Sequence, residues 1–186
     1  MHNGWRLENR STVAKKEEAL NNITRKAAFS RCQRYRYTLE RRWEIKKPAK
    51  RVVFIGLNPS TADHRVDDPT IRRCMGFARS WGFNELTVVN LFAYRTPYPT
   101  ELKQASDPIG VYNSRYLGRV IREADLIIAC WGRHGTWRNQ DTRLANRFRD
   151  RLFCLAENND GSPVHPLYQK STAQPTPWPI GRSVGS

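Results

Sequence analysis

The sequence predicts an α/β fold with a mostly parallel central sheet flanked by helices. Three apolar runs carry that expectation, at residues 52–55, 86–92 and 125–131. They are apolar at successive positions rather than alternate ones, as strands covered on both faces must be. Segments with helical spacing lie between them, and each run gives way to Gly or Asn and a polar loop. Such loops gather at the carboxyl edge of a parallel sheet, where ligands bind.

Taken in order, residues 1–12 read as a loose tail. Residues 13–29 read as a peripheral helix, with Leu20, Ile23 and Ala27 at helical spacing among Lys and Glu. Residues 34–43 alternate: Tyr35, Tyr37, Leu39 and Trp43 fall on one face, Arg34, Arg36, Thr38, Glu40 and Arg42 on the other. Period two means a half-buried strand. Its charged face either grips phosphates or protects a sheet edge. The strand at 52–55 opens into a loop over 56–68. Asp68 as N-cap and Pro69 at the first helical position then start a helix with an apolar stripe of Ile71, Met75, Ala78 and Trp81, and Gly82 ends it.

The second buried strand ends near Asn90. Pro97 and Pro99 exclude regular structure from 95–100. A helix over 111–123, a strand over 125–131 and a long basic helix over 136–151 follow. A last strand at 152–156 leads to a tight turn at Asn159-Asp160-Gly161. From Thr172 onward Pro, Thr and Ser dominate, the composition of a disordered tail. The expected organisation is a basic tail and helix over 1–30, one α/β domain over 31–170, and a tail over 171–186.

Composition bounds the function. The 186 residues carry 32 Lys and Arg against 17 Asp and Glu, a net charge of +15, and the first fifty residues alone carry +9. Such a field draws polyanions, and nucleic acid, DNA above all, is the favoured partner. No run has the length of a membrane span or the pattern of a signal peptide, so a cytoplasmic location and no membrane partner are expected. Cys32, Cys74, Cys130 and Cys154 are widely separated with no clustered His. That spacing predicts small buried hydrophobes rather than disulfides or zinc ligands, and neither metal nor cofactor is expected. Protein partners are not legible.

Four motifs carry a resemblance. Gly56-Leu-Asn-Pro-Ser-Thr-Ala-Asp63, Asp67-Asp-Pro-Thr-Ile-Arg-Arg73, Val89-Asn-Leu-Phe-Ala93 and His165-Pro-Leu-Tyr168 resemble the signature of a bacterial and phage family. That family is known mainly as a domain of unknown function, and the likeness runs from about Cys32 to Trp178. More distantly, the order of the motifs is similar to that of the uracil-DNA glycosylase superfamily. There a Gly-x-x-Pro motif follows the first core strand, a middle strand ends in Asn, and a late motif begins His-Pro-Ser. Gly56-Leu-Asn-Pro59, Asn90 and His165-Pro166 match, whereas Leu167 stands in place of the serine that helps pinch the DNA backbone.

The resemblance implies a uracil-DNA glycosylase-like fold and hydrolysis of the N-glycosidic bond of a base, a modified one included. Asn58 would orient the attacking water, with Asp63, Asp67 or Asp68 as a stronger base. The other reading of Asp68 is the helix cap, and of Asp63 a turn. Asn90 would pair with the base edge or else bond a strand end, and His165 would donate to the departing base or else belong to a turn. Gly56, Leu57, Pro59, Ser60 and Tyr168 would complete the substrate site, with Phe92 or Tyr94 stacking on the base. Arg72, Arg73, Arg79, Arg95, Arg138 and further arginines of the basic helix would line a DNA-backbone surface. His134 would add a phosphate contact at a helix N-terminus. A non-catalytic nucleic-acid-binding module and a hydrolase or transferase of small nucleotides fit the same residues.

Overall fold

The computed structural model describes residues 23–43 and 48–178. Seven strands form one sheet in the order β1-β2-β4-β3-β5-β6-β7. The strands are β1 (Thr24–Phe29), β2 (Arg36–Arg42), β3 (Arg51–Gly56), β4 (Glu85–Asn90), β5 (Leu126–Ala129), β6 (Leu152–Cys154) and β7 (Thr176–Pro177). The inner four, β4-β3-β5-β6, are parallel. Antiparallel β1 and β2 extend one side, and antiparallel β7 closes the other. The mixed α/β class therefore holds, with β1 and β7 added to the five strands that the sequence predicts.

The inner strands point alternate side chains into two cores. Val53, Ile55, Val89 and Ile127 meet Leu117, Val120 and Ile121 of α3 (Asn113–Arg122). Val52, Phe54, Val88 and Ile128 meet Ile71, Cys74, Met75 and Ala78 of α1 (Pro69–Ser80). Helices on both faces explain why these strands are apolar without alternation. The start of α1 is as the sequence predicts: Asp68 accepts from the Ile71 amide at 2.8 Å, with Pro69 beside it. Gly82, at φ 78°, stops the chain after Trp81.

Several expectations fail, each for a local reason. The helix expected over 13–29 is instead β1 from Thr24 onward, because β2 offers a strand edge that it pairs in register, Thr24 against Arg42. Its earlier part, and the tail before it, lie outside the described residues. Pro99 does not exclude a helix; it occupies the first position of a short one, α2 (Pro99–Gln104), which needs no amide hydrogen there. The long basic helix is broken. A 3₁₀ segment (Arg133–Asn139) turns through left-handed Arg138 and Asn139, both at φ 55°, before α4 (Gln140–Phe148) begins. The expected C-terminal tail is ordered to its eighth residue: Thr176 pairs with Cys154 in β7, and Trp178 packs edge-on against Trp131. Three cysteines are buried as expected, but Cys32 is exposed.

The alternation expected in β2 also slips. Ala28 pairs with Thr38 but Phe29 pairs with Arg36, so Tyr37 is an extra residue, a bulge. Tyr37 stacks on Tyr116 of α3 at 4.8 Å, while Leu39 packs into the α1 core. A one-residue slip reverses the faces of everything beyond it. Arg36 is thereby turned inward on the α1 side, and it is 3% exposed rather than solvated.

Candidate functional site

A cavity of about 570 Å³ opens where the carboxyl ends of β3, β4 and β5 diverge. β3 lies between β4 and β5, so the connection through α1 covers one face and that through α3 the other. This is the switch point at which open α/β sheets bind ligands, and the volume suits a small molecule.

The loop after β3 is zipped against the segment after β4. Leu91 donates to the Gly56 carbonyl at 3.0 Å, Phe92 to Leu57 at 2.9 Å and Thr96 to Pro59 at 3.0 Å. At Gly56 a Cβ would lie 2.9 Å from the Asn90 Oδ1, so the two motifs touch through a contact only glycine allows. The Asn58 amide nitrogen donates to the carbonyls of Thr96 at 2.7 Å and Pro59 at 3.1 Å. Those bonds set the orientation of the amide and leave its oxygen without a partner among the described residues.

Further along, the loop is clamped from β2. Arg36 donates to the Ala62 carbonyl at 2.8 Å, and Arg41, 1% exposed, binds the Asp67 carboxylate at 2.7 Å and the Asp63 carbonyl at 2.5 Å. The Asp63 carboxylate turns back on its own loop, accepting from Arg65 and Val66 at 2.6 and 2.8 Å. Those two amides hold its carboxyl below the ordinary value. Of the three acids in this loop, Asp68 faces the cavity, and Asp63 and Asp67 do not.

Asn90, 3% exposed, lines the cavity with its amide nitrogen unpartnered among the described residues. Its carbonyl takes a bond from Asn113 at 3.0 Å, which fixes the backbone at the strand end. His165 lines the same cavity. Its Nδ1 accepts from the Leu167 amide at 3.4 Å, which assigns the proton to Nε2. Burial lowers its pKa, with the charge of Asp68 opposing the shift, so the imidazole is neutral at physiological pH. Arg73 of α1 donates to the Gln169 carbonyl and ties the His165 turn to the helix.

The cavity thus gathers Gly56, Leu57, Asn58, Ser60, Asn90, His134, His165 and Tyr168 from the expected site. Pro59 is buried beside it without lining it. Phe92 cannot stack on a ligand there. It is fully buried in the α3 core against Trp137, and Tyr94 packs against that same core. None of the nominated Arg72, Arg73, Arg79, Arg95 and Arg138 lines the cavity; they fold back onto the protein. Arg72 donates to the Asp67 carbonyl, and Arg95 donates to Gln33 and covers Phe29. Arg73 lies over Phe77, Arg79 over Trp43, and Arg138 over Trp137. The sequence reading missed Arg36, Trp131 and Arg133 as lining residues. Charge at 36 was visible, but its direction was hidden by the bulge. Among the described residues no group of three His, Cys, Asp or Glu is placed to hold a metal ion. No helix among them is long and apolar enough to cross a membrane.

Fold and site together define an α/β protein with a cavity of mixed polar and apolar lining at the carboxyl edge of its sheet. The chain belongs to the DUF1643 family, described as proteins of unknown function, and the match spans residues 36–167. No curated protein and no solved structure matches it.

Proposed function

We propose that this protein hydrolyses the N-glycosidic bond of a nucleobase, DNA glycosylase-like in its chemistry. One observation carries the reading: Asn58, Asn90 and His165, from three separate segments, share a single cavity with Asp68. Asn90 offers an amide to a base edge, where donor and acceptor together discriminate. The free Asn58 oxygen orients a water, and the Asp68 carboxylate takes its proton as oxygen attacks the anomeric carbon. The carbon–nitrogen bond breaks, its electron pair leaves with the base, and the neutral His165 donates from Nε2 to the developing anion. Asp68 caps α1 through one oxygen at 2.8 Å, a bond that also fixes the carboxylate at the cavity wall.

The +15 charge supports a polyanionic substrate, DNA in particular. A free nucleotide is the second reading, favoured because the nominated arginines pack onto rings and carbonyls. The test is a panel of normal and modified-base DNAs, with free nucleotides alongside, assayed for released base by mass spectrometry. Wild-type protein should release base from at least one substrate, and Asn58→Ala should abolish release without loss of affinity. Release unaffected by Asn58→Ala would refute the assignment, and binding without release from any substrate would favour the non-catalytic module.

A further inference from the structure

We propose that Arg36 forms a phosphate subsite in this cavity, so that the ligand is a nucleoside phosphate unit held by its phosphate at Arg36 and its base at Asn90. The subsite rests on the nucleobase reading for the second half of that statement only.

Arg36 lines the cavity while only 3% exposed. The single hydrogen bond of its guanidinium among the described residues runs from Nη1 to the Ala62 carbonyl, and its Nε is buried without a partner. No ion pair compensates it among those residues, whereas Arg41, two turns of the pleat away, binds Asp67 at 2.7 Å. Burial pulls the Arg36 pKa down to about 10, which leaves it charged at neutral pH. Asp68 and Asp63 favour that charge, and Arg95 and Arg41 oppose it. Both acids are already engaged, Asp68 with the Ile71 amide and Asp63 with Arg65 and Val66.

An unpaired buried guanidinium is costly, and a bound anion removes the cost. Arginine's planar fork matches phosphate oxygens with two parallel bonds. The hydroxyl residues Ser60 and Thr70 line the same cavity and supply further donors. A phosphate ester can come from a free nucleoside monophosphate or from the backbone beside a flipped base. The chemistry at Arg36 is the same in both.

Calorimetry of the full chain separates these cases, using inorganic phosphate, the four common deoxynucleosides, their 5′-monophosphates and a 12-nucleotide single strand. Wild-type protein should bind inorganic phosphate, and Arg36→Met should weaken it roughly tenfold or more. A monophosphate should bind tighter than its nucleoside by a similar factor, and the variant should erase that difference. With inorganic phosphate weakened, a further drop for the monophosphates but not the oligonucleotide identifies the free nucleotide as the source, and one for the oligonucleotide but not the monophosphates identifies the backbone. Absence of phosphate binding to the wild type, or phosphate affinity unchanged in the variant, overturns the subsite. Should Arg36→Met fail to fold, Arg36→Lys decides: it keeps the charge but not the fork, and several-fold weaker binding is expected. Phosphate held at Arg36 with no preference for any base would retain the subsite and sink the nucleobase reading instead.

Discussion

The two rims of the sheet treat their polar groups in opposite ways. At the amino rim, where β3 and β4 begin, Arg51 contacts Glu85 at 3.0 Å and Glu123 at 2.8 Å, and Arg42 contacts Glu85 at 3.0 Å. At the carboxyl rim the Nε of Arg36, the Nδ2 of Asn90 and the Nε1 of Trp131 are buried with neither a hydrogen bond nor an ion pair among the described residues, whereas the Nε of Arg42 at the amino rim, also without a hydrogen bond, keeps the Glu85 carboxylate beside it. The two arginines respond accordingly. Burial works against both, but the hydrogen bonds that Arg51 donates to Glu123 and Glu85 raise its pKa, while Arg36 falls to about 10. Buried polar groups are normally satisfied, and the proposed ligand would supply the partners missing at the carboxyl rim. Net charge cannot make this distinction, because it counts Arg36 and Arg51 alike.

The sharpest attack on the comparison is Asp68→Asn. Asparagine caps a helix as well as aspartate, so stability should move by only about a few tenths of a kcal/mol. Loss of the base should cut base release by roughly 10²- to 10⁴-fold, measured as free base per unit time. An unchanged rate would leave Asp68 as a cap and nothing more. Next comes Arg41→Met against Arg51→Met, compared by denaturant unfolding. Arg41 is fully buried against Asp67, and breaking that pair should cost about 3–5 kcal/mol. Arg51 pairs with two acids rather than one, but is itself 30% exposed, and should cost no more than about 1 kcal/mol. Equal losses would mean that burial does not set the cost of breaking these pairs.

Much of this was legible where chemistry is local. Asp68, Pro69 and Gly82 mark the ends of α1 by capping and by backbone conformation, which need no tertiary partner. The inner strands were legible because burial on both faces writes itself as uninterrupted apolar runs, and Asn58 and Asn90 follow from where those runs end. What escaped depends on distant partners. Residues 24–29 have tolerable helical spacing and become a strand because β2 presents an edge. The break at Arg138 and Asn139 puts two ordinary residues in the left-handed region, which no local pattern announces. Arg36 faces inward because of one bulged residue, Tyr37. Asp63, Asp67 and Asp68 are equivalent as letters, and Arg41 pulling on Asp63 and Asp67 decides which of them meets the cavity.

A smaller effect is expected at Gly56→Ala, which probes whether the two motifs must touch. The added Cβ meets the Asn90 Oδ1 at 2.9 Å, and strand pairing on both sides restrains the backbone. Overpacking of this kind costs about 1–3 kcal/mol. The amide should swing away, so nucleobase affinity should fall further than the melting temperature alone predicts. A variant with lower stability and unaltered affinity would separate Asn90 from recognition.

The smallest effect concerns pH and links the His165 turn to Asp68. Burial holds the folded imidazole below its ordinary pKa of 6.5, and the Asp68 charge pulls it part of the way back. The unfolded chain therefore binds more protons just below 6.5. The contribution of His165 to stability is complete above that pH and is lost as pH falls through the folded value. Melting curves of His165→Gln should show a shallower decline below pH 6.5 than wild type. NMR titration of the imidazole should place wild type under 6.5 and Asp68→Asn lower still, because the opposing charge is gone. A His165 that titrates above 6.5, or is indifferent to Asp68→Asn, would mean that the turn and the start of α1 do not close on one shared space, and the contrast between the rims would lose its catalytic side.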